Sequence, residues 1–539
     1  MKKILLPLII ILISCCTLNA QYDEKTILYQ QAQQMMAQRQ YSQAELAWLN
    51  VLQKFPNDLA AISQLFQLYL QTGKSEAAEN LMQKYQNILP DNIRMEYAIQ
   101  LDIQQAKLTD AWQKTEAYMQ VYSQDINKYR LLAGYFERKS FFEQSILIYE
   151  KARKTLNRND LFNMEIGNSA FYSHNYPLAM IEYIRFLEAQ PGNLYFVSNQ
   201  LNTMLGENPE LINNLKTLAQ SSVSIEVKEV YAISLNRMNR LQQALAEYEQ
   251  LPVEKLTAFA NELITSGRDS LAIAAFHGLL NRQIDINTRG DIYLKTAQAY
   301  LRLKKYADAE STLSQIVDTR QHTVNTRFTN KRFAFQAYLI LADLAAWQGK
   351  QENQIINLLN DAKAVAVNAG DQAEVNYRLI SNYFAHEQFD QAEQLLKIQN
   401  KSSQPDRNLY YQYLITLARK QIDKADTLLN ELILTSPSSS FVNDLMTLNI
   451  LMLNLKGDAQ SELLNAYRYR LSHRDSLAIE TVITLAERIQ DEELRMLAAD
   501  WALISGYRSK AIAIYDYSWK DELRIYSNFV LPRLVFPIE

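Results

Sequence analysis

Cysteine, glycine and proline are all scarce in this 539-residue chain. The only two cysteines are Cys15 and Cys16, next to each other, which excludes a disulfide framework and a cysteine-based metal site. The 12 glycines and 11 prolines are too few for the many tight turns of a β-sandwich or β-barrel. Helices joined by short loops are expected instead, and a hydrophobic content of 48% is sufficient to bury a core.

A strong charge of one sign is also missing. The formal net charge is −4, so a surface that binds nucleic acid over its whole extent is not expected. After the first twenty residues there is no run of 18 apolar residues, and no membrane-spanning helix is predicted there.

Signatures of catalysis are sparse as well. Gly73-Lys74-Ser75 lacks the preceding glycine of a phosphate-binding loop, and His386-Glu387 lacks the second histidine of a zinc-protease motif. The five histidines are widely separated, and distant units of a repetitive chain are not expected to meet in one pocket. The sequence therefore predicts no enzyme, no metal site and no cofactor. These histidines are His174, His277, His322, His386 and His473.

The first twenty residues have the pattern of a bacterial secretory signal segment. Lys2 and Lys3 precede an apolar run, and a stretch of small residues ends at Ala20. Cleavage after Ala20 would release a soluble protein, whereas the run before Cys15 resembles a lipobox that would make Cys15 the site of lipid attachment. Both routes predict export to the periplasm or to the outer membrane, and Cys15 is the one predicted membrane anchor.

Proline and small residues recur with a period near 34 residues. Pro56 and Pro90 lie 34 positions apart, each after a helical pattern, and Pro191 closes a similar stretch. The alanines twelve positions before these prolines are Ala44, Ala78 and Ala179. The residues at matching offsets around Ala44 and Ala179 are Tyr41 and Tyr176, Trp48 and Tyr183, and Ala32 and Gly167. Small residues at a helix crossing allow two backbones to approach closely, while aromatic residues fill the space to the next unit.

This pattern resembles the tetratricopeptide repeat (TPR) family, clearly over 25–192, moderately over 226–318 and in scattered units over 335–518. The resemblance implies an all-α, right-handed α-solenoid of stacked antiparallel helix pairs. We expect a signal peptide at 1–20, a TPR array at 21–205, degenerate helical repeats at 206–320, divergent TPR-like repeats at 321–518 and a non-helical C-terminal tail at 519–539. The tail is expected to cover the last helix pair, and a strand or tail that binds a partner is the alternative.

Breaks in the repeat are visible as well. Residues 206–225 are predicted to be helical but out of phase with the repeat, and residues 318–332 to be a polar interruption. Residues 400–408 and 436–440 are predicted to be loops.

The first helices of the pairs are expected to line a concave groove that binds another protein or a peptide. The predicted groove combines amide, apolar and charged side chains, which suits a peptide or protein surface. Its residues are Tyr29, Gln33, Met36, Ser63, Gln67, Leu70, Arg130, Glu137, Met164, Asn168 and Phe171.

Two basic stretches suggest a different interface. They are Arg320, His322, Arg327, Lys331 and Arg332 with interleaved phenylalanines, and Arg468, Arg470, His473 and Arg474. Polar loops between helices explain them, and binding to an anionic polymer or partner is the alternative.

The leading hypothesis is an exported protein that mediates protein–protein interaction in the bacterial periplasm or cell envelope. One alternative is a lipid-anchored outer-membrane subunit of an assembly or secretion complex. Another is an enzyme or glycan binder with its site in the divergent C-terminal half, which would require a clustered polar pocket there.

Overall fold

The structure is a computed structural model, and it describes residues 24–318, 321–325, 330–399, 404–516 and Val530. Helices dominate these residues, and one hairpin of two-residue strands is their only β-sheet. The described chain divides into two compact units, one ending at Glu247 and the other beginning at Tyr248. Apart from the hairpin, the predicted all-α fold of consecutive helix pairs is confirmed.

The two units have the same kind of helices. The helices up to the boundary are α1 (24–37), α2 (Tyr41–Lys54), α3 (Leu59–Gln71), α4 (Ser75–Lys84), α5 (Asp91–Gln104), α6 (Leu108–Val121), α7 (Ile126–Glu137), α8 (Phe142–Leu156), α9 (Asn163–Tyr172), α10 (Tyr176–Ala189), α11 (Leu194–Glu207), α12 (Ile212–Ser221), α13 (Ile225–Arg237) and α14 (Leu241–Tyr248). Single 3-10 turns at Pro191–Asn193 and Pro209–Leu211 precede α11 and α12.

The helices that follow are α15 (Val253–Thr265), α16 (Asp269–Leu280), α17 (Ile286–Arg302), α18 (Tyr306–Leu313), α19 (Lys331–Trp347), α20 (Glu352–Val365), α21 (Ala369–Ala385), α22 (Phe389–Ile398), α23 (Pro405–Ala418), α24 (Ile422–Thr435), α25 (Ser440–Asn454), α26 (Asp458–Leu471), α27 (Asp475–Ile489), α28 (Glu492–Ile504) and α29 (Arg508–Tyr515). Strand β1 (Val317–Asp318) pairs antiparallel with β2 (Thr323–Val324), with Val317 opposite Val324.

Small side chains lie where the two helices of a pair cross. The fourth residue of the second helix is fully buried in each of the first five pairs. These residues are Ala44, Ala78, Ala111, Ser145 and Ala179. Their recurrence confirms the role that the sequence predicts for the alanines, and Ala111 fits because its repeat is one residue shorter.

A left-handed residue recurs in the turn between the helices of a pair. In the first five pairs this residue appears every 33 or 34 positions, and the next backbone N–H bonds five residues back, as Lys107 N does to Asp102 O at 2.8 Å. This is the hydrogen bond of a Schellman motif, which satisfies a free carbonyl at the end of a helix. The residues at this turn in the described pairs are Arg39, Gly73, Ala106, Ser140, His174, Asn239, Gly267, Lys304, Gly349, Glu387, Lys420, His473 and Gly506.

The pairing is interrupted twice. Helices α11 and α12 are joined through a 3-10 turn without a left-handed residue, as the out-of-phase segment 206–225 predicts. Helix α25 packs on α23 and α24 but makes no extensive contact with α26, so the pairs resume as α26 with α27 and α28 with α29.

The other predicted breaks have mixed outcomes. The segment 436–440 is a loop up to the start of α25, as predicted. Residues 400–403 lie outside the described residues, and residues 405–408 belong to α23, so the loop prediction is wrong there because Pro405 occupies the first turn of a helix, where it costs no hydrogen bond. In the predicted polar interruption 318–332, the described part contains β2 and the start of α19.

Both predicted ends of the chain fall largely outside the described residues. The predicted signal peptide 1–20 lies wholly outside them. Of the predicted tail 519–539 only Val530 is described; its backbone is helical and it packs half-buried against the core formed by residues 373–515, and the non-helical tail stays a prediction.

Candidate functional site

In the second unit, two helices that are far apart in the sequence meet. Helix α26 lies against α21. Ser381 Oγ donates a hydrogen bond to Leu471 O at 3.1 Å, and the Arg468 guanidinium donates two hydrogen bonds to Ala385 O at 3.2 and 3.1 Å. The expectation that distant units do not converge is therefore wrong in this unit, because the chain returns to α21 after the unpaired helix α25.

A cavity of about 480 Å³ opens beside this contact. Its walls come from α19, α20, α21 and α23, from the turn between α26 and α27, and from the end of α28. These elements span residues 342 to 505, so only the tertiary fold brings them together. A clustered polar pocket is what an enzyme or glycan binder with its site in the C-terminal half would require.

Two arginines of the cavity are neutralised by carboxylates. Arg378 forms ion pairs with Asp343 and, through Nε at 2.9 Å, with Glu374. Arg407 Nη1 lies 2.7 Å from the second oxygen of Glu374, and its guanidinium lies 4.4 Å from the centroid of the Tyr377 ring. Burial raises the pKa of Glu374, but the two arginines outweigh it and hold that pKa below its usual value.

Arg470 is different from these two arginines. It lines the same cavity and its guanidinium lies 4.7 Å from the centroid of the Trp501 ring. Within the described residues it forms no ion pair and its side chain donates no hydrogen bond, but its charge acts on Asp444, where it opposes the burial that raises the pKa of that carboxyl. A half-buried guanidinium therefore presents donors that the described chain does not use.

Asn382 is a second polar group without a partner. Its side chain lines the cavity and is 8% exposed, and its Oδ1 has no hydrogen-bond partner among the described residues. A buried amide without a partner costs free energy unless a ligand or water satisfies it.

His473 also faces this cavity. It is the left-handed residue of the turn between α26 and α27; its Nε2 lies 3.7 Å from Asp343 Oδ1 and its ring meets the Trp347 ring edge-on. The sequence groups Arg470 and His473 in one basic stretch, but it contains no signal for the acids and arginines that face them across the cavity.

A second cavity of about 450 Å³ adjoins the first, and Arg470 and Ile504 line both. It lies between α25 and α28, with Tyr467 of α26 in its wall. Ile450 and Ile504 are 50% and 71% exposed, so the lining of the second cavity carries apolar surface that the described chain leaves uncovered.

The eleven residues of the predicted groove lie in the first unit, and several join neighbouring pairs. The hydrogen bonds between successive first helices are Ser63 Oγ with Tyr97 at 2.6 Å, Gln67 with Gln100 at 3.0 Å, Arg130 with Glu165 at 2.9 Å, and Glu137 with Ser169 at 3.0 Å. Asn168 Oδ1 accepts a hydrogen bond from Tyr183 of the same pair at 2.8 Å. These side chains hold neighbouring helices in position, and the sequence analysis did not predict this role for them.

Tyr29 belongs to the same kind of junction. Its hydroxyl donates to Asp58, which also pairs with Lys25 and caps α3 by accepting from Ala61 N at 2.9 Å. Burial raises the pKa of Asp58, but Lys25 and Tyr29 outweigh it and lower that pKa below its usual value. Tyr29 thus anchors α1 to the start of α3.

The remaining groove residues divide by exposure. Gln33 is exposed and Met164 is 39% exposed, whereas Met36, Leu70 and Phe171 are half-buried. The structure places these side chains on successive first helices, and their role in binding a partner stays a prediction.

The basic stretches have separate structural roles. In the first, Arg320 and Arg327 lie outside the described residues, and His322 Nδ1 lies 2.6 Å from Asp361. In the second, Arg468 holds α26 on α21 and also pairs with Glu387.

The described residues contain no group of three or more histidine, cysteine, aspartate or glutamate side chains that could hold a metal ion. Of the helices that the structure describes, none is both long and apolar enough to span a membrane.

No protein-family model matches the sequence, and a comparison with curated proteins finds no match. Among solved structures, the chain is similar to the APC/C hetero-tetramer Cut9-Hcn1, with 16% identity over 78% of this chain and 95% of that chain and a TM-score of 0.27. It is also similar to the C-terminal part of a TPR repeat-containing protein from Cytophaga hutchinsonii, with 17% identity over 47% and 94% of the two chains and a TM-score of 0.27. Yeast Tom70 matches with 12% identity over 96% of each chain and a TM-score of 0.24. Because these scores are low, the TPR-like fold is assigned from this chain's own helix pairs, buried small residues and recurring turns.

Proposed function

We propose that this protein is a non-enzymatic, exported repeat scaffold that binds another protein through the first helices of its N-terminal pairs. The supporting observation is the row of side chains on α1, α3, α7 and α9, which combines exposed amide, arginine and methionine groups on rigidly joined helices. Side chains that are held on rigidly joined helices lose less conformational entropy when a partner binds.

Site-specific photocrosslinking in the native envelope tests this face. A crosslinking residue at Gln33 or Met164 lies on first helices, and one at Leu46 or Leu147 provides a matched control because these residues are 68% and 48% exposed on second helices. We expect one partner to be captured from Gln33 and Met164 and not from the controls. Equal capture from all four positions, or from the controls alone, would contradict binding through this face.

The proposed location is the bacterial periplasm or cell envelope, and the signal segment at 1–20 supports it. Mass spectrometry of the mature N-terminus separates the two processing routes. A chain beginning at Gln21 indicates a soluble product, and a lipid-modified Cys15 that is lost in Cys15→Ala indicates the anchored outer-membrane subunit. An unprocessed chain that remains in the cytoplasm would contradict export.

The cavity between α21 and α26 supports ligand binding in the C-terminal half as a second candidate function. It favours a binding site over an enzyme, because the carboxylates of Asp343 and Glu374 are held in ion pairs. The lowered pKa of Glu374 makes this carboxylate a poor proton acceptor and a poor proton donor at neutral pH.

A further inference from the structure

We propose that residues 517–539 of this same chain dock along α25 and into the second cavity, between α25 and α28. The segment then covers the helix at which the pairing is interrupted. This inference is independent of the partner-binding face on the N-terminal pairs. It also goes beyond a tail that covers the last helix pair, α28 and α29, because it assigns the segment a site on α25.

Helix α25 carries a stripe of apolar side chains that the described chain leaves open. Met446 and Leu453 are 42% and 61% exposed, and together with Ile450 they follow the i, i+4, i+7 spacing of one helix face. Elsewhere in the unit such a face packs on the next helix of a pair, but α25 makes no extensive contact with α26. Ile450 also lines the second cavity, so the stripe and the cavity form one apolar surface that another segment can cover.

The C-terminal segment begins beside this surface. Tyr515, two residues before the segment, donates a hydrogen bond from its hydroxyl to Asp500, and Asp500 lines the second cavity. The chain therefore leaves α29 within about one tyrosine side chain of the cavity. A segment tethered so near to a site has an effective concentration there of the order of millimolar, which no separate ligand needs to match.

Val530 shows that part of the segment lies on the same core. It packs half-buried against the core formed by residues 373–515. That core includes Leu451, Leu497 and Trp501, which also line the second cavity. The segment is therefore already in contact with the cluster to which the apolar wall of the cavity belongs.

The sequence of the segment matches the cavity in polarity and in charge. Leu531 and Leu534 flank Arg533, so one positive side chain lies among apolar ones. The lining of the second cavity contains three carboxylates and only one guanidinium, that of Arg470. The carboxylates are Asp444, Glu493 and Asp500. An excess of negative charge beside apolar surface favours an apolar segment that carries a cation.

Photocrosslinking within the purified, mature full-length chain tests the docking. A crosslinking residue is placed at Ile450 or at Ile504, and mass spectrometry identifies the peptide that is captured. Ile398 is the matched control position, because it is 73% exposed in α22, close to the 71% of Ile504, and lines neither cavity. An equal mixture of isotopically light and heavy chains separates capture within one molecule from capture between two copies.

We expect both cavity positions to capture residues 517–539 of the same molecule, at a yield severalfold above that from Ile398. Leu534→Asp is expected to lower this yield about tenfold, which corresponds to about 1.4 kcal/mol, because it places a charge on apolar surface. Ser527→Asp is the control variant, since it adds the same charge at a polar position of the segment. Circular dichroism confirms that each variant is folded.

Three results would overturn the inference. They are a yield from Ile450 and Ile504 no higher than from Ile398, capture mainly between light and heavy chains, and a yield that Leu534→Asp leaves unchanged. The second result would assign the surface to another copy of the chain instead. None of them affects the capture of a partner from Gln33 and Met164, so the proposed scaffold function is tested separately.

Discussion

Gly167 is the residue at which the close approach of paired helices is most directly testable. It lies in α9 and faces Tyr183 of α10, and a Cβ added at Gly167 would lie 2.9 Å from both Cδ1 and Cε1 of that ring. Carbon atoms at optimal contact are about 3.5–4.0 Å apart, so Gly167→Ala produces a clash. The ring cannot shift freely, because it is fully buried and its hydroxyl is bonded to Asn168.

The expected magnitude follows from two opposing effects. Overpacking a tight interior costs about 1–3 kcal/mol, while replacing glycine by alanine inside a helix gains about 1 kcal/mol. The difference is about 0–2 kcal/mol, and since the atoms that clash belong to a rigid ring, we expect Gly167→Ala to lower local stability by an amount in the upper half of that range, about 1–2 kcal/mol.

Hydrogen exchange of the α9 and α10 amides in the full chain measures this loss, because it reports local opening free energies in a long protein. Gly134→Ala in α7 is the matched control, since its Cβ would meet only Arg138 Nη1 at 3.8 Å. It is expected to increase protection of α7 through helix propensity alone. If Gly167→Ala increased protection of α9 as Gly134→Ala does for α7, the close-approach argument would be wrong.

Three further predictions concern the first unit. Ala106→Gly is expected to stabilise the α5–α6 turn by about 0.5–1 kcal/mol, because alanine there has φ 58° and glycine adopts this conformation without strain; slower exchange of the turn amides would show it. Arg153→Met is expected to cost about 2 kcal/mol in denaturant unfolding, because it removes a guanidinium 2.9 Å from Glu182, which is 1% exposed and keeps only Arg185 as its cationic partner; a loss below about 1 kcal/mol would contradict this. The lowered pKa of Asp58 implies that its stabilisation of the α1–α3 junction is present above about pH 4 and is lost as the pH falls through the lowered value; Asp58→Asn should therefore weaken protection of α1 at pH 7 and flatten its acid dependence.

The sequence predicts the regular part of the fold because each helix there packs mainly against helices that are adjacent in the sequence. Ala44, Ala78 and Ala179 are small for a reason that acts within one helix pair, and their period is visible in the chain. The left-handed turns are equally periodic, but most of them carry residues other than glycine, such as Ala106 and Glu387, so composition gives no sign of them.

The candidate site could not be predicted in the same way. Arg378, Arg407 and Arg470 line the same cavity only because α26 packs on α21. That contact depends on the interruption of the helix pairing at α25. The basic stretch at 468–474 was visible, but its partners lie far away in the sequence. Likewise, the predicted groove residues were placed on the right helices, while their hydrogen bonds to the next pair depend on side-chain geometry.

The contact between α26 and α21 has a consequence for the order in which the second unit is completed. During synthesis α21 emerges well before α26. Until α26 has been translated, the Ala385 carbonyl and the surface around Ser381 lack their hydrogen-bond partners from that helix. Truncation before Asp458 would leave that surface permanently open and would remove one side of the arginine-lined cavity. The second unit can therefore complete its fold only when nearly its whole length has been translated. A regular repeat array, in contrast, can fold one helix pair at a time.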